Sequence, residues 1–222
     1  MAVKKTDVVE IKPFETQDVR IRLVGGTPLI MHKWDIKGKT MMLEAQQGKS
    51  KGKKKEYKNP VADFIRSMYW MDGKEPNAEG LNEEECEKAF AEAIENGARF
   101  GFPATAFKKA AISAAYRSGW SKDKVSLQGA FFIKADEDDL IEIKSDVPTM
   151  REDMVRIGMG TADIRYRGQL DNWYADIVIS YNINGQYSLD NILAMINAGG
   201  YTCGVGEWRV EKGGQFGMFH VG

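Results

Sequence analysis

The sequence predicts an α+β fold in which helices cover one face of an antiparallel sheet, with a helical and basic insertion after the first strand. Three observations predict it. The stretch VRIRLVG alternates Val19, Ile21 and Leu23 with Arg20 and Arg22, which is the period of a half-buried strand. Residues 103–118 and 188–198 read as helices, the first with a nearly continuous alanine face and the second with Leu189, Ile192, Leu193 and Ile196 on one side. The remaining chain is rich in short β-branched and aromatic runs: VSLQGAFFIK, LIEIKS, DMVRIGMG, ADIRYRG and WYADIVISYN. The order is therefore strand, helical insertion, helix, several strands, helix, strand.

Each element follows in turn. Residues 1–17 are a polar lead-in, and GGTPL bends or ends the first strand. Residues 35–58 are Lys- and Gly-rich and too polar to pack, so an extended or disordered basic loop is expected. Asn59-Pro60 opens a helix over about 60–71, a cap followed by proline in the first turn. Asn82 with Glu85 three later is a capping box that starts a helix over about 83–96, ended by Gly97. Phe100-Gly101-Phe102-Pro103 reads as a turn into the alanine-faced helix, with Ala110, Ala111, Ala114 and Ala115 as core. Ser188 caps the last helix, Gly199-Gly200 ends it, and a glycine-rich loop leads to a final strand. The expected organisation is one domain over 1–222, with 35–100 as an insertion.

Composition narrows the function classes. The chain has 222 residues, 43% hydrophobic and 28% charged, with a formal net charge of −1. No run of about 18 apolar residues offers a membrane span, and MAVKKTDVVEIKPFE has no apolar signal core, so a reducing cytoplasm is the expected compartment. Cys86 and Cys203 supply neither a disulfide framework nor metal-ligand spacing, and His32 and His220 are too few for a zinc site or a catalytic triad. No cofactor is expected. Charge is unevenly spread: residues 33–58 carry nine lysines against three acids, a net of +6, and residues 72–95 a net of −7. Such ends read either as a flexible basic loop beside a solvated acidic helix, or as surfaces for head-to-tail association or for a basic loop that meets nucleic acid.

Candidate binding residues fall into four groups. Lys108 and Lys109 lie in the first turns of a helix whose N-terminal N–H groups favour anions, and Arg117 extends the same helix. Arg151, Arg156, Arg165 and Arg167 fall within seventeen residues, with Tyr166 between the last two and Trp173 close behind. Arginines bind phosphate and aromatics stack unpaired bases, but these arginines are equally placed to pair with Glu152, Asp153, Asp163 and Asp171. In DIRYRG the alternation puts Arg165 and Arg167 on one strand face and Tyr166 on the other. Arg209 and Lys212 sit among Gly204, Gly206, Gly213, Gly214 and Gly217, glycines that let main chain approach a phosphate closely. Lys53, Lys54 and Lys55 are the densest part of the basic loop.

Three stretches, IRLVGGTPLIMHKW, FGFPATAFKKAAISAAYR and GVGEWRVEKGGQFGMFHV, together resemble the RAMP superfamily, the backbone subunits of CRISPR effector complexes. Members have a first strand ending in a small-residue turn, a Pro-to-Lys helix start, here Pro103 to Lys109, and a glycine-rich loop before the last strand. Ala104 and Ala106 stand where that family tends to glycine and serine. The chain also resembles a kind of protein common in tailed-phage and prophage genomes, which would place it in a bacterial host cell. The resemblance implies an RRM-like (ferredoxin-like) core that lines single-stranded DNA or RNA by stacking subunit beside subunit, as a filament or ring. It also implies that the Pro-to-Lys turn and the glycine-rich loop lie against the nucleic acid backbone. In some members an aspartate after the first strand cuts RNA with a metal ion, and Asp35 lies in roughly that place. Three readings stand: a single-strand-binding subunit, a structural or assembly protein that self-associates without nucleic acid, and a metal-dependent ribonuclease.

Overall fold

A computed structural model describes residues 13–34, 36–48, 58–157 and 161–222. The first half contains β1 (Thr16–Gly25), β2 (Leu29–Ile30), α1 (Ile36–Gln46), α2 (Pro60–Arg66), α3 (Glu83–Glu95), β3 (Phe100–Pro103) and α4 (Ala104–Arg117). The second contains α5 (Lys124–Gln128), β4 (Phe131–Lys134), β5 (Leu140–Ile143), β6 (Thr149–Ile157), β7 (Thr161–Leu170), β8 (Tyr174–Asn182), α6 (Leu189–Thr202) and β9 (Phe219–Val221). The fold is α+β with antiparallel sheets. The main sheet has the order β4-β8-β1-β9, and a second has the order β2-β7-β6. The pair β3–β5 forms a third.

The main sheet turns one face to the core. Along β8, Ala175, Ile177, Ile179 and Tyr181 are buried in strict alternation, and Leu23 on β1 lies opposite Ala175. These residues share a core with Phe107, Ala111 and Ala115 of α4 and Ile192, Met195 and Ile196 of α6. The alanine face of α4 is core, as the sequence predicts: Ala110, Ala111, Ala114 and Ala115 are at most 5% exposed. The Phe107 ring joins the two helices to the sheet, 5.3 Å from Phe219 and 6.2 Å from Trp173.

Several boundaries differ from the sequence reading, each for a physical reason. The basic loop expected over 35–58 begins instead with α1, because Thr40–Gln46 is a run of mostly good helix formers whatever its surroundings. The helix expected over 60–71 stops at Arg66. The Ser67 hydroxyl donates to Phe64 O at 2.7 Å and accepts from Gly168 N at 2.8 Å, while the Trp70 indole donates to Ile65 O. These bonds take the last-turn carbonyls and tie the helix end to β7. Within the segment 35–100, Val61, Ala62, Phe64 and Ile65 of α2 are buried in the common core.

Phe100–Pro103 is a strand paired to β5, not a turn, and it hands the chain directly to α4. The run expected as one strand over 125–134 divides into α5 and β4, because Asp123 caps Val125 N and Ser126 N. The capping boxes at Asn82 and Ser188 are both present.

The Gly199-Gly200 pair does not end α6. A Cβ at Gly199 would lie 2.6 Å from Ala111 N, and one at Gly200 would collide with the Phe219 carbonyl. Both glycines therefore sit inside the helix where α4 and β9 press against it, and the helix continues to Thr202. Gly199→Ala is predicted to overpack this crossing and to lower stability by roughly 1–3 kcal/mol or more in urea titrations. An unchanged midpoint would mean that the two helices part freely.

Candidate functional site

The three stretches singled out in the sequence meet in one place. The turn after β1 and the glycine-rich loop are joined through their backbones: Gly217 N donates to Pro28 O at 2.8 Å and Glu207 N to Ile30 O at 3.0 Å. Met218 N donates to the Thr27 hydroxyl at 3.0 Å, and the Trp173 indole donates to Thr27 O at 2.8 Å. The loop also closes on itself, with Val205 N bonded to Gly217 O and Phe216 N to Trp208 O. Its glycines serve that closure. Gly217 has φ +64, and a Cβ there would collide with the Val205 carbonyl; Gly206 has φ +79 and packs against Ile30 O. Gly214 lies against Trp208 O and Gly204 against Phe216 O, while Gly213 ends the short turn at Val210–Lys212 in the left-handed region. Chain closure, or at Gly213 a positive φ alone, thus accounts for the conformation of these glycines.

Between this loop and the start of α4 runs an open groove of about 740 Å³. Lys108 and Lys109 line one side with Lys124 of α5; Glu207, Arg209 and Glu211 line the other, and His32 and Tyr69 also border it. The two sides differ in charge state. Glu211 accepts from Arg209 at 3.3 Å and from Arg117 at 3.2 Å, and Glu207 lies 3.7 Å from Arg167. The acids are thus already paired. Lys108, Lys109 and Lys124 have no carboxylate within salt-bridge distance among the described residues. Burial pushes the Lys108 ammonium below its ordinary value. His32 Nδ1 accepts from Arg167 Nε at 3.3 Å. Burial, and then the charge of Arg167, hold this imidazole below its usual value, so it is neutral at pH 7.

The arginine-rich stretch forms the β6–β7 hairpin, and most of it points to internal pairing. Arg167 is 6% exposed and bonds Asp153 at 3.1 Å; Asp153 is itself buried and also accepts from Arg151 at 2.8 Å. Arg165 pairs with Asp163 at 2.7 Å. Arg165 and Arg167 share one strand face and Tyr166 takes the other, where Lys58 approaches its ring. A buried Arg167 is not placed as a surface phosphate contact, because its guanidinium is needed by Asp153. Arg156 is exposed near the hairpin end, and Lys212 is exposed beside Gly213. Trp173 is 1% exposed in the core and is no stacking surface. Lys53, Lys54, Lys55 and Asp35 lie outside the described residues.

The groove therefore gathers Lys108, Lys109, Arg209 and the glycine loop, has Arg117 at its margin through Glu211, and excludes the hairpin surface. His32, Tyr69 and Lys124 were not predicted. His32 belongs to the quoted first stretch, but nothing in its spacing aims it at α4; Lys124 follows the Asp123 cap, a signal that goes unread when 125–134 is taken as one strand. No group of three or more His, Cys, Asp or Glu side chains placed to hold a metal ion occurs among the described residues. No helix among them is long and apolar enough to cross a membrane.

Two substitutions separate the buried arginine from its exposed neighbour. Arg167→Ala leaves the Asp153 carboxylate buried with half its partners, and is predicted to cost about 3–5 kcal/mol. Arg165→Ala removes a pair at the surface, and is predicted to cost under about 1 kcal/mol. Thermal melts of the two variants check the order, and equal losses would contradict it. In comparisons with known proteins, the chain matches no protein-family model and no curated protein.

Proposed function

We propose that this chain binds single-stranded nucleic acid by laying the phosphate backbone along the groove between α4 and the glycine-rich loop. One observation carries the reading: a groove built from segments far apart in sequence keeps its lysines unpaired while its acids are satisfied by arginines. A polyanion gains most where cations are exposed and already held on a rigid helix. Lys108 and Lys109 also follow an α4 N-terminus with no side-chain cap; Ala104 N is taken by Asp139 O, and the N–H groups after it have no side-chain acceptor.

The proposal extends to the fold. The order β4-β8-β1-β9, with α4 between β1 and β4 and α6 between β8 and β9, supports an RRM-like (ferredoxin-like) arrangement of the kind found in the RAMP superfamily. In this reading copies of the chain line up along one strand. The acidic helix α3, with exposed Glu84, Glu87, Glu92 and Glu95, is the charge complement of the basic 33–58 stretch of sequence in the next copy. The same charges would serve an assembly protein that binds no nucleic acid, and a binding assay separates the two. No catalytic step is assigned to Asp35.

Single-stranded oligonucleotides are predicted to bind in preference to duplex, with affinity falling linearly in log–log plots against salt. Lys108→Ala with Lys109→Ala should weaken binding severalfold and flatten the slope by about 1 for each phosphate that is no longer neutralised, while the melting temperature stays nearly constant. Equal affinity for duplex, or an unchanged slope in the double variant, would remove the groove from consideration; no binding at low salt would favour the assembly protein. Light scattering should show a mass that rises with oligonucleotide and falls above physiological salt. A monomer throughout would leave the strand-lining arrangement without basis.

A further inference from the structure

Two of the lysines that line the groove each lie against an aromatic ring that is not part of the groove wall. The Lys108 ammonium is 4.1 Å from the centre of the Phe132 ring, and the Lys124 ammonium is 5.8 Å from that of Tyr116. Both distances are within cation–π reach. Even with the lysines in place, Phe132 is 58% exposed and Tyr116 43%. A single exposed aromatic needs no explanation. Two of them, each beside an unpaired lysine of one groove, form a pattern.

Their positions follow from the fold. Phe132 stands between Phe131, which is fully buried, and Ile133 on β4, so the strand period turns it away from the core. Its strand is an edge of the main sheet, and no strand among the described residues covers its outer side. Tyr116 lies near the end of α4 and Lys124 at the start of α5, which packs on α4. The three elements α4, α5 and β4 thus set two cations of the groove each beside an exposed ring.

This juxtaposition has a chemical counterpart. An unpaired nucleotide presents a phosphate at one end of its sugar and a planar base at the other. A site that holds it without reading its sequence needs a cation and an open ring side by side, because every base has a face to stack. A duplex offers no such face, since its bases are already stacked on one another. We infer that Phe132 and Tyr116 are stacking positions for unpaired bases of a strand whose phosphates lie on Lys108 and Lys124. The inference rests on the proposed function of the groove and adds to it the part of the ligand that the rings would contact.

The experiment compares an oligothymidylate with an abasic strand of equal length and charge, in fluorescence anisotropy at fixed salt. The wild-type chain should prefer the base-bearing strand. Phe132→Leu and Tyr116→Leu keep an apolar side chain at exposed positions. Each should lower affinity for the base-bearing strand by at least about fivefold and leave the abasic strand unaffected. Lys108→Ala should instead weaken both strands alike. If the wild-type chain binds and both leucine variants keep its preference, the rings are not stacking positions, although the groove still binds phosphate. If the wild-type chain binds neither strand, the proposed function fails and the inference with it.

Discussion

The close crossing of α4 and α6 is the contact on which the rest of the structure depends. Ala111 and Gly199 bring the two backbones together where larger side chains would hold them apart, and the same helix places Gly200 against β9. With the helices this close, Phe107 reaches a cluster of Phe102, Trp173 and Phe219, joining α4 to three separate parts of the chain. The start of α4 is then fixed on both sides. Ala104 N donates to Asp139 O, and β3 delivers the chain to the helix without an intervening loop. The end of α6 leads directly into Gly204, so the crossing that seats α4 also brings the glycine-rich loop across from its lysines. Widening it would disturb the core and the groove together.

Charge is arranged around that geometry in two layers. Arg167 connects buried Asp153 to His32 and Glu207 on the groove wall, and Arg151 completes the set on Asp153. Burying Arg167 and Asp153 is tolerable only because each has a partner of opposite sign and a second partner beside it. At the surface, Arg209 and Arg117 hold Glu211. Unpaired carboxylates on the loop would repel a polyanion; paired ones do so much less. The cations of the groove without a carboxylate partner among the described residues are the lysines of α4 and α5.

The helices and strands that carry the core were legible because their signals are local. The alternation of β1 and β8, the caps at Asn59, Asn82 and Ser188, and the alanine face of α4 each follow from periodicity or turn chemistry within a few residues. The misread elements depend on distant contacts. Gly199-Gly200 looks like a helix stop until α4 and β9 are packed against it, and 60–71 looks continuous until Ser67 and Trp70 take the carbonyls at its end. The site was legible only in part for the same reason. Lys108 and Lys109 announce themselves in sequence, whereas Lys124, Tyr116 and Phe132 join them only through the packing of α5 and β4 on α4. In the hairpin both partners of each ion pair were visible in the sequence, but only burial decides that Arg167 belongs to Asp153 and not to a ligand.

The edges of the main sheet bear on how copies of the chain could associate. At β9 the strand is short, Val221 N is bonded by the Asn197 side chain at 2.8 Å, and Phe219 O presses on Gly200, so the fold already covers that edge. At β4 the solvent face carries Lys134, bound across β8 to Asp18 of β1, and Phe132 under the Lys108 ammonium. Lysine beside an exposed strand is a common device against edge-to-edge pairing, because joining a second strand would strip water from the charge. With one edge covered and two lysines beside the other, extending the sheet is a poor route to assembly. Contact between oppositely charged surfaces leaves both edges as they are. It also leaves the solvent face of β4, with its ring and the lysine over it, uncovered.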